Sequence, residues 1–256
     1  MSRFIDLQRH ARGRVEVILD RPDKLNALSL ALLGNLTEVL NSLARDGELR
    51  CVVLSGAGRA FSAGADLVDL RRLDRSSAER FIRCLHAACL AVRDCPVPVI
   101  ARIDGPCLGG ALELAASCDM RAASGRSIFA MPEVRLGIPS VIEAALLPRL
   151  MGWGRAAELL FTGRTLTASE ALAAGLVEAV AEDPVDIVET WAGDILDAGP
   201  RAIRAQKNLM RAWERTHVDD AIEAGVEAFC SSWESDEAPR RIARAGAGRA
   251  ATGRSA

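Results

Sequence analysis

The chain has 256 residues, of which 32 are basic and 34 acidic, so its formal net charge is only −2. Neither a basic surface for nucleic acid nor a strongly acidic tail is predicted, which leaves a small-molecule substrate or a protein partner as the default. Half of the residues are hydrophobic, and a chain of this length can bury a sizeable core as one large or two small domains.

The cysteine pattern and the first residues indicate that the protein is cytoplasmic. Seven scattered cysteines, without a Cys-x-x-Cys pair or histidines at zinc-binding spacing, predict reduced thiols and no metal site. The first ten residues lack the long apolar run of a secretory signal. No uncharged apolar stretch reaches the roughly eighteen residues of a membrane span. A cytoplasmic protein with no membrane or nucleic-acid partner is therefore expected.

Strands and helices are predicted to alternate along the first half, which is typical of an α/β protein. Residues 13–19 alternate and are β-branched up to the break at Asp20-Arg-Pro22, which predicts a strand. Leucines at helical spacing predict a helix over 28–45 with Ser29 as its N-cap. Further strands are predicted over 51–55, 98–103 and 127–130, and helices over 76–94 and 111–117.

The second half is predicted to be mostly helical. A helical region over 141–161 is expected to be interrupted at Pro148 and Gly152. The small and polar residues 245–256 are expected to be frayed. A separate C-terminal part is predicted to contain helices over 186–198, 200–213 and 218–232.

Two glycine-rich turns are candidates for catalysis. One contains Gly64-Ala65, and the other, Gly109-Gly110, leads directly into an apolar, alanine-rich helix. Such turns can aim two backbone N–H groups at one carbonyl oxygen and so stabilise the negative charge that develops on a thioester or acyl enolate. The start of a helix adds a favourable dipole. Alone, a Gly-Gly pair before a helix is usually only a turn.

Two glutamates lie next to these turns. Glu113 follows Gly110 by one helical turn, and Glu133 follows Pro132 in a loop after a predicted strand. Two carboxyl groups that face one ligand can bind a water and move protons on and off it, and their approach separates their pKa values. A single such glutamate is more often a helix-terminal acid. The conjunction of turns and glutamates indicates acyl-thioester chemistry.

Five segments support a more specific interpretation: Leu19-Asp-Arg-Pro-Asp-Lys-Leu-Asn-Ala-Leu28, Phe61-Ser-Ala-Gly-Ala-Asp-Leu67, Leu108-Gly-Gly-Ala-Leu-Glu-Leu-Ala115, Pro132-Glu133 and Thr162-Gly-Arg-Thr-Leu-Thr-Ala-Ser-Glu-Ala-Leu-Ala-Ala-Gly-Leu-Val177. In this order they resemble the motifs of the enoyl-CoA hydratase/isomerase (crotonase) family, over roughly residues 12–230. The resemblance implies a spiral of ββα units over residues 1–195. It also implies a helical part, residues 196–256, that packs between the subunits of a trimer or a dimer of trimers.

The same resemblance implies roles for individual residues. The N–H groups of Ala65 and Gly110 would form an oxyanion hole for the thioester carbonyl. Glu113 and Glu133 match the two hydratase glutamates, which activate the water and deliver a proton to the α-carbon. In this family a glutamate at the position of Glu133 alone serves isomerases, so the presence of both favours hydration of a trans-2-enoyl-CoA to a 3-hydroxyacyl-CoA. Coenzyme A is then part of the substrate, and no separate cofactor is expected.

The resemblance also implies a coenzyme A site. Lys24 could equally be a solvated surface lysine, and Asp66 could equally be a helix cap. The implied binding residues are Lys24, Leu25, Ala27, Ala63, Asp66 and Leu67.

One segment departs from the family pattern. After Glu133 the family commonly has a Pro-Gly, paired glycines and a Thr-Gln-Arg-Leu-like run, whereas this chain has Ile138-Pro-Ser-Val-Ile-Glu-Ala-Ala-Leu-Leu-Pro-Arg-Leu150. Ser140 stands where the family has a glycine near the water site. Glu143 is expected at the surface, with contact to a polar acyl group as the alternative.

Three alternative functions remain, and several other polar residues are not expected to take part in catalysis. A Δ3,Δ2-enoyl-CoA isomerase that uses Glu133 alone, another lyase or hydrolase of the superfamily, and a non-catalytic coenzyme A-binding member are the alternatives. Ser62 lacks the Gly-x-Ser-x-Gly context of a nucleophile. His10, His86 and His217 have no partner at metal or triad spacing and are expected at the surface or in packing.

Overall fold

The computed structural model describes residues 4–252 and divides into two compact units, with the boundary between Gly193 and Asp194. The first unit contains strands and helices, and the second is helical. The division expected from the sequence lies two residues further on, between residues 195 and 196. The role of the second unit in assembly stays a prediction.

The strands all belong to the first unit. In chain order they are β1 (Ile5–Arg9), β2 (Arg14–Leu19), β3 (Cys51–Gly56), β4 (Val99–Ile103), β5 (Pro106–Leu108), β6 (Met120–Ser124), β7 (Ile128–Ala130), β8 (Thr165–Thr167) and β9 (Ala179–Ala181). The larger sheet has the order β1-β2-β3-β4-β6-β9, in which β1 is antiparallel to β2 and the other neighbours are parallel. The smaller sheet has the order β5-β7-β8.

The helices of the first unit surround these sheets. They are α1 (Leu30–Ala44), α2 (Leu67–Leu70), α3 (Arg75–Arg93), α4 (Gly110–Ala116), α5 (Leu147–Met151), α6 (Trp153–Thr162) and α7 (Ala168–Ala174), and the unit boundary falls within α8 (Val185–Asp197). Short 3-10 helices lie over Pro132–Leu136 and Ile142–Leu146, among other places.

The predicted core elements form for the predicted reasons. Val15, Val17 and Leu19 alternate along β2 and are buried, whereas β3, which lies between β2 and β4, is buried along almost its whole length. The hydroxyl of Ser29 accepts a hydrogen bond from the N–H of Leu32, which confirms the predicted N-cap of α1. Such a cap stabilises a helix by about 1 kcal/mol.

A repeated ββα turn relates the two sheets. β4 enters the larger sheet, β5 follows in the smaller sheet, and α4 closes the turn; β6 and β7 repeat the first two steps. Two isolated parallel bridges continue the pairing of the smaller sheet to earlier segments of the chain. Ser62 pairs with Cys107 of β5, and Ala65 pairs with Leu28. The predicted ββα spiral is confirmed. Its consequence is that the segments around residues 62–65 and 108–110 lie side by side.

The second unit continues with α9 (Pro200–Trp213), α10 (Val218–Ser231) and α11 (Glu237–Thr252). The first two confirm the predicted helices. The expectation of frayed residues from 245 onward is wrong as far as Thr252, because α11 runs through them, and the run is rich in alanine, the strongest helix former. Residues 253–256 lie outside the described part of the chain.

Two further expectations need correction. Pro148 does not interrupt a helix, because it lies in the first turn of α5, where a missing N–H costs nothing; the break comes at Gly152 as predicted. The short strands β1, β5, β6, β8 and β9 were not predicted, because most have only three residues and are defined by their partners. Within residues 4–252, no helix combines the length and the apolar character needed to cross a membrane.

Candidate active site

A cavity of about 920 Å³ opens in the first unit between α2, α3, the start of α4 and the segment after β7. Most of its lining side chains are apolar, including Leu70, Phe81, Ile82, Leu85 and Ile138. Ala65, Gly110, Glu113 and Glu133, the four residues expected to be catalytic, all line it. The fold therefore gathers on one cavity residues that are up to 68 positions apart in the sequence.

One side of the cavity, here called the amide wall, consists of residues 62–65 and 108–110. The N–H of Ser62 donates to the carbonyl of Pro106 at 3.0 Å, and the N–H of Leu108 donates to the carbonyl of Ser62 at 3.2 Å. Gly64 has φ +86°, and a Cβ added there would collide with the carbonyl oxygen of Leu108. The two turns thus touch backbone to backbone, which only glycine permits at this point.

The amide wall presents two N–H groups to the cavity. Leu28 donates to the carbonyl of Gly64 and accepts from the N–H of Asp66, so in this extended segment the N–H of Ala65 points to the opposite side. Gly110 is the first residue of α4, where N–H groups have no acceptor in the helix. Within residues 4–252, neither N–H donates a hydrogen bond. Both can therefore donate to a ligand oxygen.

Two buried polar residues hold the first turn of the amide wall, and sequence reasoning gave neither a role. The hydroxyl of Ser62 donates to the carbonyl of Asn26 at 2.8 Å and accepts from the N–H of Gly64 at 3.1 Å. The amide of Asn26 donates to the carbonyls of Ala57 and Ala60. Both side chains are fully buried, and buried polar groups need partners, but nothing in the sequence signals that burial because both motifs contain other polar residues.

Glu113 lies in the first turn of α4 and is only 3% exposed. Its Oε1 accepts a hydrogen bond from the N–H of Ala144 at 3.0 Å. Burial raises the pKa of this carboxyl from 4.5 to about 8; the Ala144 N–H opposes the rise, and the negative charges of Glu133 and Glu143 add to it. Glu113 therefore holds a proton at neutral pH.

Glu133 reaches the cavity from the 3-10 helix Pro132–Leu136. Its Oε2 accepts a hydrogen bond from the hydroxyl of Ser140 at 2.9 Å, which orients the carboxyl group. Its Oε1 lies so close to Gly109, which has φ +53°, that a Cβ on this glycine would collide with it. The carboxyl group thus sits over Gly109, at the start of α4. Ser140, the departure from the family pattern, contacts a predicted catalytic residue directly.

The expectation that Glu143 lies at the surface is wrong. This residue is 3% exposed, because the 3-10 helix Ile142–Leu146 packs against both α3 and α4. Its Oε1 lies 2.8 Å from Nδ1 of His86, so His86 has a partner that sequence spacing did not reveal. Glu143 does not line the cavity, and contact with an acyl group is not supported.

The residue before Glu143 has an unusual backbone. Ile142 has φ +41°, a region that a β-branched residue rarely adopts. Strain of this kind costs on the order of 1–3 kcal/mol and persists only where the surrounding contacts enforce it. The segment that carries Ala144 to Glu113 is therefore held in place by its neighbours.

The residues expected to bind coenzyme A are only partly at the cavity. Ala63 and Leu67 line it. Lys24 is exposed and outside the lining, and Leu25 and Ala27 also lie outside it, although the carbonyl of Leu25 accepts from the N–H of Ala63.

Asp66 is used within the fold. It caps α2 by accepting from the N–H of Val68 at 2.9 Å, and it pairs with Arg21 at 3.0 Å. A role for any of these residues in coenzyme A binding stays a prediction. In the part of the chain that the structure describes, no group of three His, Cys, Asp or Glu side chains could hold a metal ion.

Comparisons with known proteins agree with this architecture. Residues 10–243 match the model of the family described as "Enoyl-CoA hydratase/isomerase". The chain is 34% identical over 231 residues to a short-chain-enoyl-CoA hydratase of Clostridium acetobutylicum, covering 88% of each chain. It is 37% identical over 207 residues to an enoyl-CoA isomerase/hydratase of Mycosarcoma maydis, covering 76% of each. A crystal structure of an enoyl-CoA hydratase from Bacillus anthracis superposes with a TM-score of 0.89 at 32% identity, over 94% of this chain and 95% of that one.

Proposed function

Because the chain belongs to the enoyl-CoA hydratase/isomerase family, we propose that it is an enoyl-CoA hydratase, which adds water across the 2,3 double bond of a trans-2-enoyl-CoA. One observation carries this proposal: Glu113 and Glu133 line the same cavity as two N–H groups that have no acceptor among residues 4–252. A hydratase needs both features, an oxyanion site and two carboxyl groups.

The N–H groups of Ala65 and Gly110 would receive the thioester oxygen. Attack at the β-carbon moves electrons toward this oxygen and generates an enolate, whose charge these two donors stabilise. Loss of one such donor typically costs about 2.7–4 kcal/mol of barrier. The apolar lining of the cavity strengthens the effect, because charge interactions are weakly screened away from water.

The two carboxyl groups would handle the protons. As the water oxygen bonds to the β-carbon, one carboxylate takes a proton from the water, and the other carboxyl group gives a proton to the α-carbon. The pair ends with the number of protons with which it began. A pair in which Glu113 holds a proton while Glu133 accepts a hydrogen bond from Ser140 supports both steps.

The direct test follows the loss of conjugated-thioester ultraviolet absorbance when the protein meets crotonyl-CoA. We expect turnover by the wild type and a loss of about 100-fold or more in Glu113→Gln and in Glu133→Gln, because a carboxamide cannot transfer the proton. Glu158→Gln is the matched control. Glu158 lies on α6, outside the cavity lining, and pairs with Arg164. Normal turnover by Glu113→Gln would refute the hydratase assignment.

A Δ3,Δ2-enoyl-CoA isomerase is the second candidate, favoured by one observation. Glu113 is protonated and bonded to the N–H of Ala144, so Glu133 alone could act as the base that shuttles a proton between two carbons. This function predicts that Glu113→Gln still isomerises a 3-enoyl-CoA while Glu133→Gln does not. If both variants lose isomerisation, a single-carboxylate mechanism is excluded.

We propose that the protein assembles as a homotrimer or a dimer of trimers. Support comes from the family, whose members commonly form oligomers, and from large aromatic side chains that the single chain leaves exposed, such as Trp153 and Phe161 of α6. Sedimentation equilibrium tests this proposal, because three or six chain masses are expected. A monomer across the accessible concentration range would refute it.

A further inference from the structure

The 3-10 helix Ile142–Leu146 lies behind the cavity and packs against α3 and α4. Its Glu143 carboxyl is buried, with Oε1 2.8 Å from Nδ1 of His86 and 3.9 Å from Nη1 of Arg93. Its Oε2 is also buried and has no hydrogen-bond partner in the part of the chain that the structure describes. Burial of an incompletely paired carboxyl group is costly, so its retention needs an explanation beyond packing.

The residue that follows Glu143 holds Glu113. The N–H of Ala144 donates to Glu113 Oε1, and one peptide unit joins this donor to the residue anchored on α3. Ile142, on the other side of Glu143, has its backbone in the left-handed region. A strained peptide of this kind relaxes when its anchor is lost, and relaxation would move the Ala144 N–H.

We propose that His86 and Glu143 are positioning residues for Glu113, acting through the N–H of Ala144. This inference rests on the proposed function, in which Glu113 is one of the two carboxyl groups that transfer protons. Neither residue lines the cavity, so neither is expected to touch substrate. Their effect should fall on the rate of the chemical step and not on substrate binding.

The charge of Glu143 has a second effect. The titratable and charged groups around it are His86, Cys89 and Arg93 on α3 and Glu113 on α4. Burial raises the pKa of the Cys89 thiol well above its usual value, so Cys89 is neutral. The pKa of Glu113 is raised chiefly by burial and then by the negative charge of the nearby Glu133, and the charge of Glu143 makes a smaller contribution. Removal of this charge should lower that pKa.

The first experiment uses His86, because its side chain is 47% exposed and its replacement leaves the core intact. For hydration of crotonyl-CoA, we expect His86→Ala to lower kcat about 10-fold with KM nearly unchanged, as misplacement of a reacting group does. His86→Asn, whose amide nitrogen lies near the position of Nδ1, should restore most of the rate. Arg80→Ala is the matched control, since Arg80 is exposed on the same helix and outside the cavity lining, so its replacement should leave kcat unchanged.

The second experiment measures Glu113 without relying on activity. Glu143→Gln keeps the shape of the side chain and an acceptor for His86 but removes the charge. The NMR signal of the Glu113 carboxyl carbon is identified by its disappearance from the spectrum of Glu113→Gln. Its chemical shift is then followed as a function of pH in the wild type and in Glu143→Gln. We expect the Glu113 pKa, about 8 in the wild type, to fall in the variant.

The outcomes separate this inference from the proposed function. Unchanged kcat in His86→Ala, or a fall that His86→Asn does not restore, overturns the positioning role. An unchanged Glu113 pKa in Glu143→Gln overturns the charge effect. Absence of hydration by the wild type refutes the proposed function instead, and the NMR titration then decides whether Glu143 controls Glu113.

Discussion

The amide wall of the cavity is held by backbone pairing, whereas the segment 132–146, which brings Glu133 into the cavity and continues behind it, is held by side chains. On the amide wall, Ser62 and Leu108 exchange main-chain hydrogen bonds with the neighbouring turn. This segment, here called the carboxylate wall, has two short 3-10 helices, and side-chain contacts link Glu133 to Ser140 and Glu143 to His86. Main-chain pairing tolerates changes of side chain but no added Cβ. Side-chain contacts can shift without a clash of main-chain atoms, so the carboxylate wall should tolerate substitution better than the amide wall.

The largest expected effect is a break in the amide wall. Gly64→Ala places a Cβ against the carbonyl of Leu108 at φ +86°, and only a backbone shift can relieve the collision. We expect a loss of about 2–4 kcal/mol in the free energy of unfolding and at least about 100-fold in kcat/KM, because one oxyanion donor moves. Gly34→Ala in α1 is the control: a Cβ there meets no atom within 4 Å, and the variant should be active and slightly more stable. A fully active Gly64→Ala would contradict the backbone contact.

Gly109→Ala should show how the two walls differ in their effects on stability and on activity. The added Cβ meets the end of the flexible Glu133 side chain, which can move away, and the remaining strain comes from φ +53°. We expect a loss of activity of about 100-fold with a stability cost of only about 1–2 kcal/mol, less than in Gly64→Ala. Urea unfolding and crotonyl-CoA turnover measured on both variants provide the comparison. Equal destabilisation of the two would show that the carboxylate wall is as rigid as the amide wall.

The raised pKa of Glu113 predicts how stability depends on pH. Because the pKa is 4.5 for an ordinary glutamate and about 8 in the fold, the unfolded chain loses this proton at a lower pH than the folded chain does. The contribution to stability is complete below about pH 4.5 and is lost as the pH rises to about 8.

Glu113→Gln removes this titration. Its stability relative to the wild type should increase by roughly 2–4 kcal/mol between about pH 5 and pH 9. Urea unfolding at a series of pH values measures the difference. A constant difference across that range would mean that Glu113 titrates in the fold as it does in the unfolded chain.

The smallest effect is expected at Ser140. Ser140→Ala removes the hydrogen bond to Glu133 Oε2 without adding volume, and Glu133 keeps its position over α4. We expect kcat/KM to fall by about 3- to 10-fold, which is the effect of losing one hydrogen bond of ordinary strength. Ser140→Gly, which also removes the hydroxyl, should behave in the same way. If neither variant changes kcat/KM, Ser140 does not orient Glu133.

Some features of the site could be read from the sequence because their signals are local. Gly64, Gly109 and Gly110 mark turns by their chemistry, and Glu113 follows Gly110 by one helical turn. Glu143 and His86 could not be paired, because they lie 57 positions apart on elements that only packing brings together. The roles of Ser62 and Asn26 were missed for the same reason, since the bonds that they make depend on the contact between two distant turns.

The sequence by itself determined the α/β class, the main helices with the Ser29 cap, the two glycine turns and the two glutamates, because hydrophobic period, capping and glycine chemistry act over a few residues. The tertiary structure decided the short strands, the burial of Glu143 and the raised pKa of Glu113. These depend on desolvation and on partners supplied by distant segments, and such quantities exist only once the chain has packed.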